Sequence, residues 1–133
     1  MAASILIIED NQANIRIVEL CLKARGHTLL MACDDETALR LAEEGHPDLI
    51  VMGVQLRDEA GLQLLKRIKQ KEQLRSVPSL AISAHAMPGD REEILSAGFD
   101  AYVSKPVNTR QLPLIIDEML QGGKAHGRQN PRG

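Results

Sequence analysis

Aromatic side chains are nearly absent from this chain: Phe99 and Tyr102 stand alone, and there is no tryptophan. That scarcity argues against platforms on which nucleic-acid bases stack and against flavin sites that sandwich a ring. Cysteine is equally sparse. Cys21 and Cys33 have neither CxxC spacing nor histidines at metal-ligand spacing, so they are expected to serve as buried small hydrophobes. His27, His46, His85 and His126 show no ligand spacing either. No charge of one sign dominates; a net charge of −2 creates no broad field for nucleic acid or anionic membrane. No apolar run approaches membrane-spanning length, and Met1-Ala2-Ala3-Ser4 enters a strand without a basic leader region, so a cytoplasmic location is expected. GxGxxG and P-loop signatures are missing, which with the few aromatics leaves little support for a cofactor binder or enzyme.

What is present is a regular alternation. The 133 residues, 44% hydrophobic and 26% charged, suit one globular domain with a sizeable core. Short apolar runs at 4–9, 27–33, 48–53, 78–83 and 101–104 read as strands, four of them too apolar to be covered on one face only. Between them, apolar residues recur at helical spacing: Ile15, Val18, Leu22; then Ala38, Leu41, Ala42; then Leu62, Leu65, Ile68; and finally Leu112, Ile115, Ile116, Met119. Asp34-Asp35 reads as the start of the second helix, with Gly45 just past its end; Gly26 and Gly98 follow the first and fourth helices. Five strand–helix units of this kind predict right-handed crossovers and a three-layer, doubly wound α/β fold over residues 1–121. The remainder, 122–133, has many breakers and reads as a flexible tail or the start of a linker; no helix-turn-helix fits there.

In open parallel sheets, ligands bind outside the carboxyl ends of the strands. That rule gathers Glu9-Asp10, Gly53, Ser83 and Lys105-Pro106, which are far apart in sequence. Singly, each has a plainer role: a helix cap, a strand end, a surface turn, and for Tyr102 an edge residue with a wet hydroxyl. Jointly, the segments ILIIEDN (5–11), PDLIVMGVQL (47–56), LAISA (80–84) and DAYVSKP (100–106) closely resemble a response-regulator receiver domain, in order and in spacing, over about residues 4–121. With Ala84-His85-Ala86-Met87 and its short length, the chain looks most like single-domain receivers of the DivK type.

The resemblance implies a flavodoxin-like (βα)5 fold whose parallel five-stranded sheet has the order 2-1-3-4-5. It implies a signalling module rather than an enzyme, taking a phosphoryl group from a histidine kinase or phosphotransfer protein onto an aspartate with Mg²⁺. Mg²⁺ demands oxygen ligands in near-octahedral geometry. By resemblance these would be Asp10, Glu9 through water, and the backbone carbonyl of Gln55. Lys105 and the Ser83 hydroxyl would meet the phosphoryl oxygens, a cis peptide would precede Pro106, and Tyr102 would pair with Ser83 as the switch.

The departure is at position 53, where the resemblance places the acceptor and the sequence has glycine. Nucleophile and one direct metal ligand would go together. Asp58 is a remote substitute, and Arg57 stands where the family usually has proline. Weak Mg²⁺ binding is therefore expected, along with a slot beside Lys105 and Ser83 roomy enough for water or a small anion. Two functions follow. One is a phosphorylation-independent module that binds proteins through its helix 4–strand 5–helix 5 face, around Glu92, Ala101, Tyr102 and Arg110. The other is a conventional receiver whose acceptor aspartate has been substituted by Gly53.

Overall fold

A computed structural model describes residues 3–9, 12–54, 60–83 and 89–122. Among the described residues, five strands and five helices alternate: β1 (Ser4–Ile8), α1 (Gln12–Ala24), β2 (Thr28–Ala32), α2 (Asp35–Gly45), β3 (Leu49–Val54), α3 (Ala60–Lys69), β4 (Ser79–Ser83), α4 (Asp90–Ser96), β5 (Ala101–Ser104) and α5 (Gln111–Gly122). A 3₁₀ turn at Glu72–Leu74, not anticipated from the sequence, joins α3 to β4. The strands form one parallel sheet in the order β2-β1-β3-β4-β5, as the resemblance implies.

Strand periodicity sorts the core into two layers. Leu6 and Ile8 of β1, with Ile50 and Met52 of β3, face Ala38, Leu65 and Ile68 on α2 and α3. Ile5 and Ile7, with Leu49 and Val51, face Ile15, Val18 and Leu22 on α1 and Leu112, Ile116 and Met119 on α5. Runs of consecutive apolar residues are thus explained by helices on both faces. Full burial holds only for the central strands; the edge strands β2 and β5 are half-buried along most of their length.

Three expectations need correction. Gly45 does not follow α2 but is its last residue, and His46 takes the left-handed cap position at φ 47°. A β-carbon at 45 would lie 2.5 Å from Leu30 Cδ1, so the end of that side chain would have to turn aside to admit one. The cysteines are not buried: Cys33 is exposed, because it follows an edge strand, and Cys21 is half-exposed on α1. β3 runs one residue further, to Val54, which places Gly53 inside the strand.

The amino-terminal end of the sheet is fastened by side chains accepting from backbone N–H groups. Asp48 accepts from Ser4 N at 2.9 Å, and Asp100 from Ser79 N at 2.9 Å. Lys69, on α3, donates to the carbonyls of Arg75 and Val77, and burial lowers its pKa against the opposing pull of Asp100. Arg25, just past the end of α1, pairs with Asp117 of α5.

His27 belongs to the same end. It is buried, and its Nδ1 accepts from Ala3 N at 3.1 Å, so the neutral ring carries its proton on Nε2. Burial lowers its pKa below 6.5; Asp117 opposes this, and the amino terminus and Arg25 add to it. The unfolded chain therefore binds this proton more readily than the folded one. The stabilising contribution is complete above pH 6.5 and is lost as pH falls through 6.5 toward the lower folded value. Chemical denaturation at pH 7.5 and at pH 5.5 is expected to show a lower midpoint at pH 5.5, with a smaller difference in His27→Asn.

Asp34 caps α2 as expected, its Oδ1 accepting from Thr37 N at 2.8 Å. That backbone hydrogen bond favours the carboxylate and lowers its pKa. Asp34→Ala should lower the denaturation midpoint measurably, and Asp34→Ser should restore most of it, since a hydroxyl can take the same N–H. Equal midpoints for Asp34→Ala and the parent would show that this cap adds nothing.

Candidate functional site

The carboxyl ends of β1, β3, β4 and β5 lie side by side because the sheet order brings them together. Ile8 pairs with Met52, Gly53 with Ile82, Val54 with Ser83, and Ser83 with Ser104. Glu9 follows β1 directly, and its N–H donates to Ala32 O at 3.0 Å, continuing the β1–β2 ladder by one residue. Lys105 follows β5, and its N–H donates to Ser83 O at 2.8 Å. Ser83 is buried at the end of β4. The Lys105–Pro106 peptide is cis. Four of the expected strand ends are thus adjacent.

Tyr102 lies in the middle of β5, paired with Ala81 and half-buried against the α2–α3–α4 side of the core. It also lines an open groove of about 280 Å³ between β5 and α5, with Ser104, Pro106, Gln111 and Ile115 among its walls. Asp10, Gln55, Asp58 and the 84–87 segment lie outside the described residues.

At Gly53 the structure changes the expectation. Glu9 is one residue beyond Ile8, and Gly53 one beyond Met52, so the two sit side by side in register. They also share strand parity with Ile7 and Val51, and so the same face of the sheet. A β-carbon on Gly53 would lie 1.8 Å from Glu9 Oε1, 2.8 Å from its Cδ and 3.6 Å from Oε2. The space beside Gly53 is therefore filled by the Glu9 carboxylate. The expected slot is thus narrowed on its Gly53 side, where Glu9 atoms stand in the place of a β-carbon. Sequence contained the signal, since strand parity places residues 9 and 53 together. What it could not supply was the direction of a long side chain with several rotors.

The family model of the response regulator receiver domain matches residues 5–117. The chain belongs to the response regulator receiver family. This receiver is 41% identical over 120 residues to the polar-differentiation response regulator DivK of Brucella ovis, covering 90% of this chain and 98% of that protein. The Brucella anthropi DivK is 39% identical over the same length. Among solved structures it is similar to the receiver domain of a sensor histidine kinase from Pseudomonas aeruginosa, with a TM-score of 0.80, 32% identity and coverage of 91% and 99% of the two chains. That structure holds a magnesium ion coordinated in its active-site cleft. A response regulator from Desulfuromonas acetoxidans, 24% identical, shares the fold at a TM-score of 0.80, covering 89% of this receiver and 96% of that chain.

A magnesium site in this receiver would draw on oxygen donors at the same strand ends. Glu9 supplies a carboxylate, whereas Gly53 supplies no side-chain oxygen. Among the described residues, no group of three or more carboxylates, histidines or cysteines gathers to hold a metal. The donor set fits a hard cation in kind but is short in number by whatever a carboxylate at position 53 would add. No helix among the described residues is long and apolar enough to cross a membrane.

Proposed function

We propose that this receiver is a phosphorylation-independent protein-interaction module of two-component signalling, its acceptor position being Gly53. The observation that carries this reading is the strand end itself. At the position where receivers present a nucleophile there is no side chain, and the space is taken by a neighbouring carboxylate. A nucleophile must sit near 3 Å from phosphorus with aligned geometry, and glycine has none to place. Residues 1–121 form the receiver unit in this reading, and 122–133 a tail. Glu9, Asp10 and the Gln55 carbonyl remain as weak Mg²⁺ donors, and Ser83, Lys105 and Tyr102 as the rest of the family's pocket and switch.

Contact with a histidine kinase, a phosphotransfer protein or another signalling protein would then act without covalent transfer. The α4–β5–α5 face supports this role. β5 is an edge strand with all four residues half-buried, and the groove beside Tyr102 opens between it and α5. Glu92 and Arg110 are exposed at its margins. A further apolar surface lies on α1, where Ile17 and Leu20, three residues apart, are both exposed.

Incubation with Mg²⁺ and acetyl phosphate, followed by intact-mass measurement, tests the proposal. The mass is expected to stay unchanged. A gain of one phosphoryl group would overturn it and point to Asp58 or another acceptor.

A further inference from the structure

The Glu9 carboxylate does more than lie near Gly53. The three nearest heavy atoms to a β-carbon at position 53 all belong to that one group, the closest at 1.8 Å, a separation at which two unbonded atoms cannot coexist. The absence of a side chain at 53 is thus what permits Glu9 to lie there. The adjoining strand end carries Ser83, opposite Val54 in register and buried, and the backbone N–H of Lys105 donates to the Ser83 carbonyl.

We propose that Glu9 is a built-in anionic occupant of this pocket, filling the space over Gly53 and closing the site beside Ser83 and Lys105 to oxyanions such as inorganic phosphate. The closure has two physical parts. Atoms of Glu9 fill the volume, and a fixed negative charge repels a second anion brought within a few ångströms. The pocket is thereby held in one occupied state, and its opening requires Glu9 to swing away. That motion involves only the far end of a flexible side chain, so it needs no shift of the sheet. This deepens the reading of the pocket given above, but it is measured on unmodified protein without a phosphodonor. Phosphorylation of the parent would leave it standing, and its own failure would leave Gly53 without a nucleophile all the same.

The test is titration of the ¹⁵N-labelled protein with inorganic phosphate, following the amides of Gly53, Ser83 and Lys105. The parent is expected to show no saturable shift at these amides. Glu9→Ala is expected to bind phosphate there at least about tenfold more tightly, the gain expected from removing one like charge near a partly buried anion. Glu9→Gln keeps the shape and loses the charge, and should gain less than Glu9→Ala. Three results would overturn the proposal. One is saturable binding by the parent equal to that of Glu9→Ala. Another is no gain in Glu9→Ala although its remaining amide spectrum matches the parent's. The third is a gain in Glu9→Gln as large as in Glu9→Ala, which would leave no part for filled space.

Discussion

Gly53→Asp will take up one phosphoryl group from acetyl phosphate with Mg²⁺ present, while the parent chain will take up none. The new carboxylate stands at the end of β3, between the end of β1 and the end of β4 that carries Ser83. In the reaction its oxygen bonds to phosphorus as the donor's P–O bond breaks and acetate leaves. On the proposed reading, Ser83 and Lys105 would meet the phosphoryl oxygens. A β-carbon at 53 cannot coexist with the observed Glu9 carboxylate, so Glu9 must turn aside. The cost is small, because the displaced atoms end a flexible side chain rather than belong to the backbone. Once moved, Glu9 and the introduced carboxylate crowd two like charges together, so the variant should also gain more thermal stability from Mg²⁺ than the parent does. Intact mass and a thermal-shift titration report the two effects separately. A variant that folds, as judged by its melting transition, yet remains unmodified would show that Ser83 and Lys105 are not poised for transfer. In that case more than position 53 would set the parent chain apart from a phospho-accepting receiver.

Leu65→Ala is expected to destabilise the fold by about 2–5 kcal/mol, as deletion of a buried leucine side chain leaves a cavity that close packing cannot refill. Leu65 is fully buried (0% exposed), where α3 packs on the layer formed by Leu6, Ile50 and Ala81. Against a total of about 5–15 kcal/mol for a domain of ordinary stability, the expected loss is a large share. Leu20, on the outer side of α1 and 55% exposed, supplies the contrast. Leu20→Ala should change stability by no more than about 0.5 kcal/mol. Denaturant unfolding of both variants checks the pair, and similar losses for the two would contradict the assignment of Leu65 to the core and Leu20 to the surface.

Much of the architecture was legible because it depends on local periodicity. Consecutive apolar residues such as Ile5–Ile8 can be buried only if helices cover both faces, and the helical spacing of Ile15, Val18 and Leu22 names the covering face. Asp34 as a cap was equally readable, since one side chain and one N–H three residues on suffice to make it. Gly45 was misread because its neighbour is not local: the Leu30 side chain from β2 packs where a β-carbon at 45 would be. The cysteines were misread for a related cause. Cys33 is exposed because the strand before it is at the edge, a property of sheet order, whereas Cys21 sits at the margin of the buried face of α1. His27 and Lys69 gave no signal at all, because the groups they meet, Ala3 N and the carbonyls of Arg75 and Val77, become partners only after the chain is folded.

The residues at the site divide in the same way. By itself the sequence determined the alternation of strands and helices, the family resemblance, the set of residues at the strand ends and the missing side chain at position 53. These follow from residue identity and spacing along one dimension. Tertiary structure alone decided what lies in the place of that side chain. β1 and β3 are neighbours with residues 9 and 53 in register on one face, and glycine leaves room there. The Glu9 carboxylate fills that room because packing, not spacing, sets where a long side chain comes to rest.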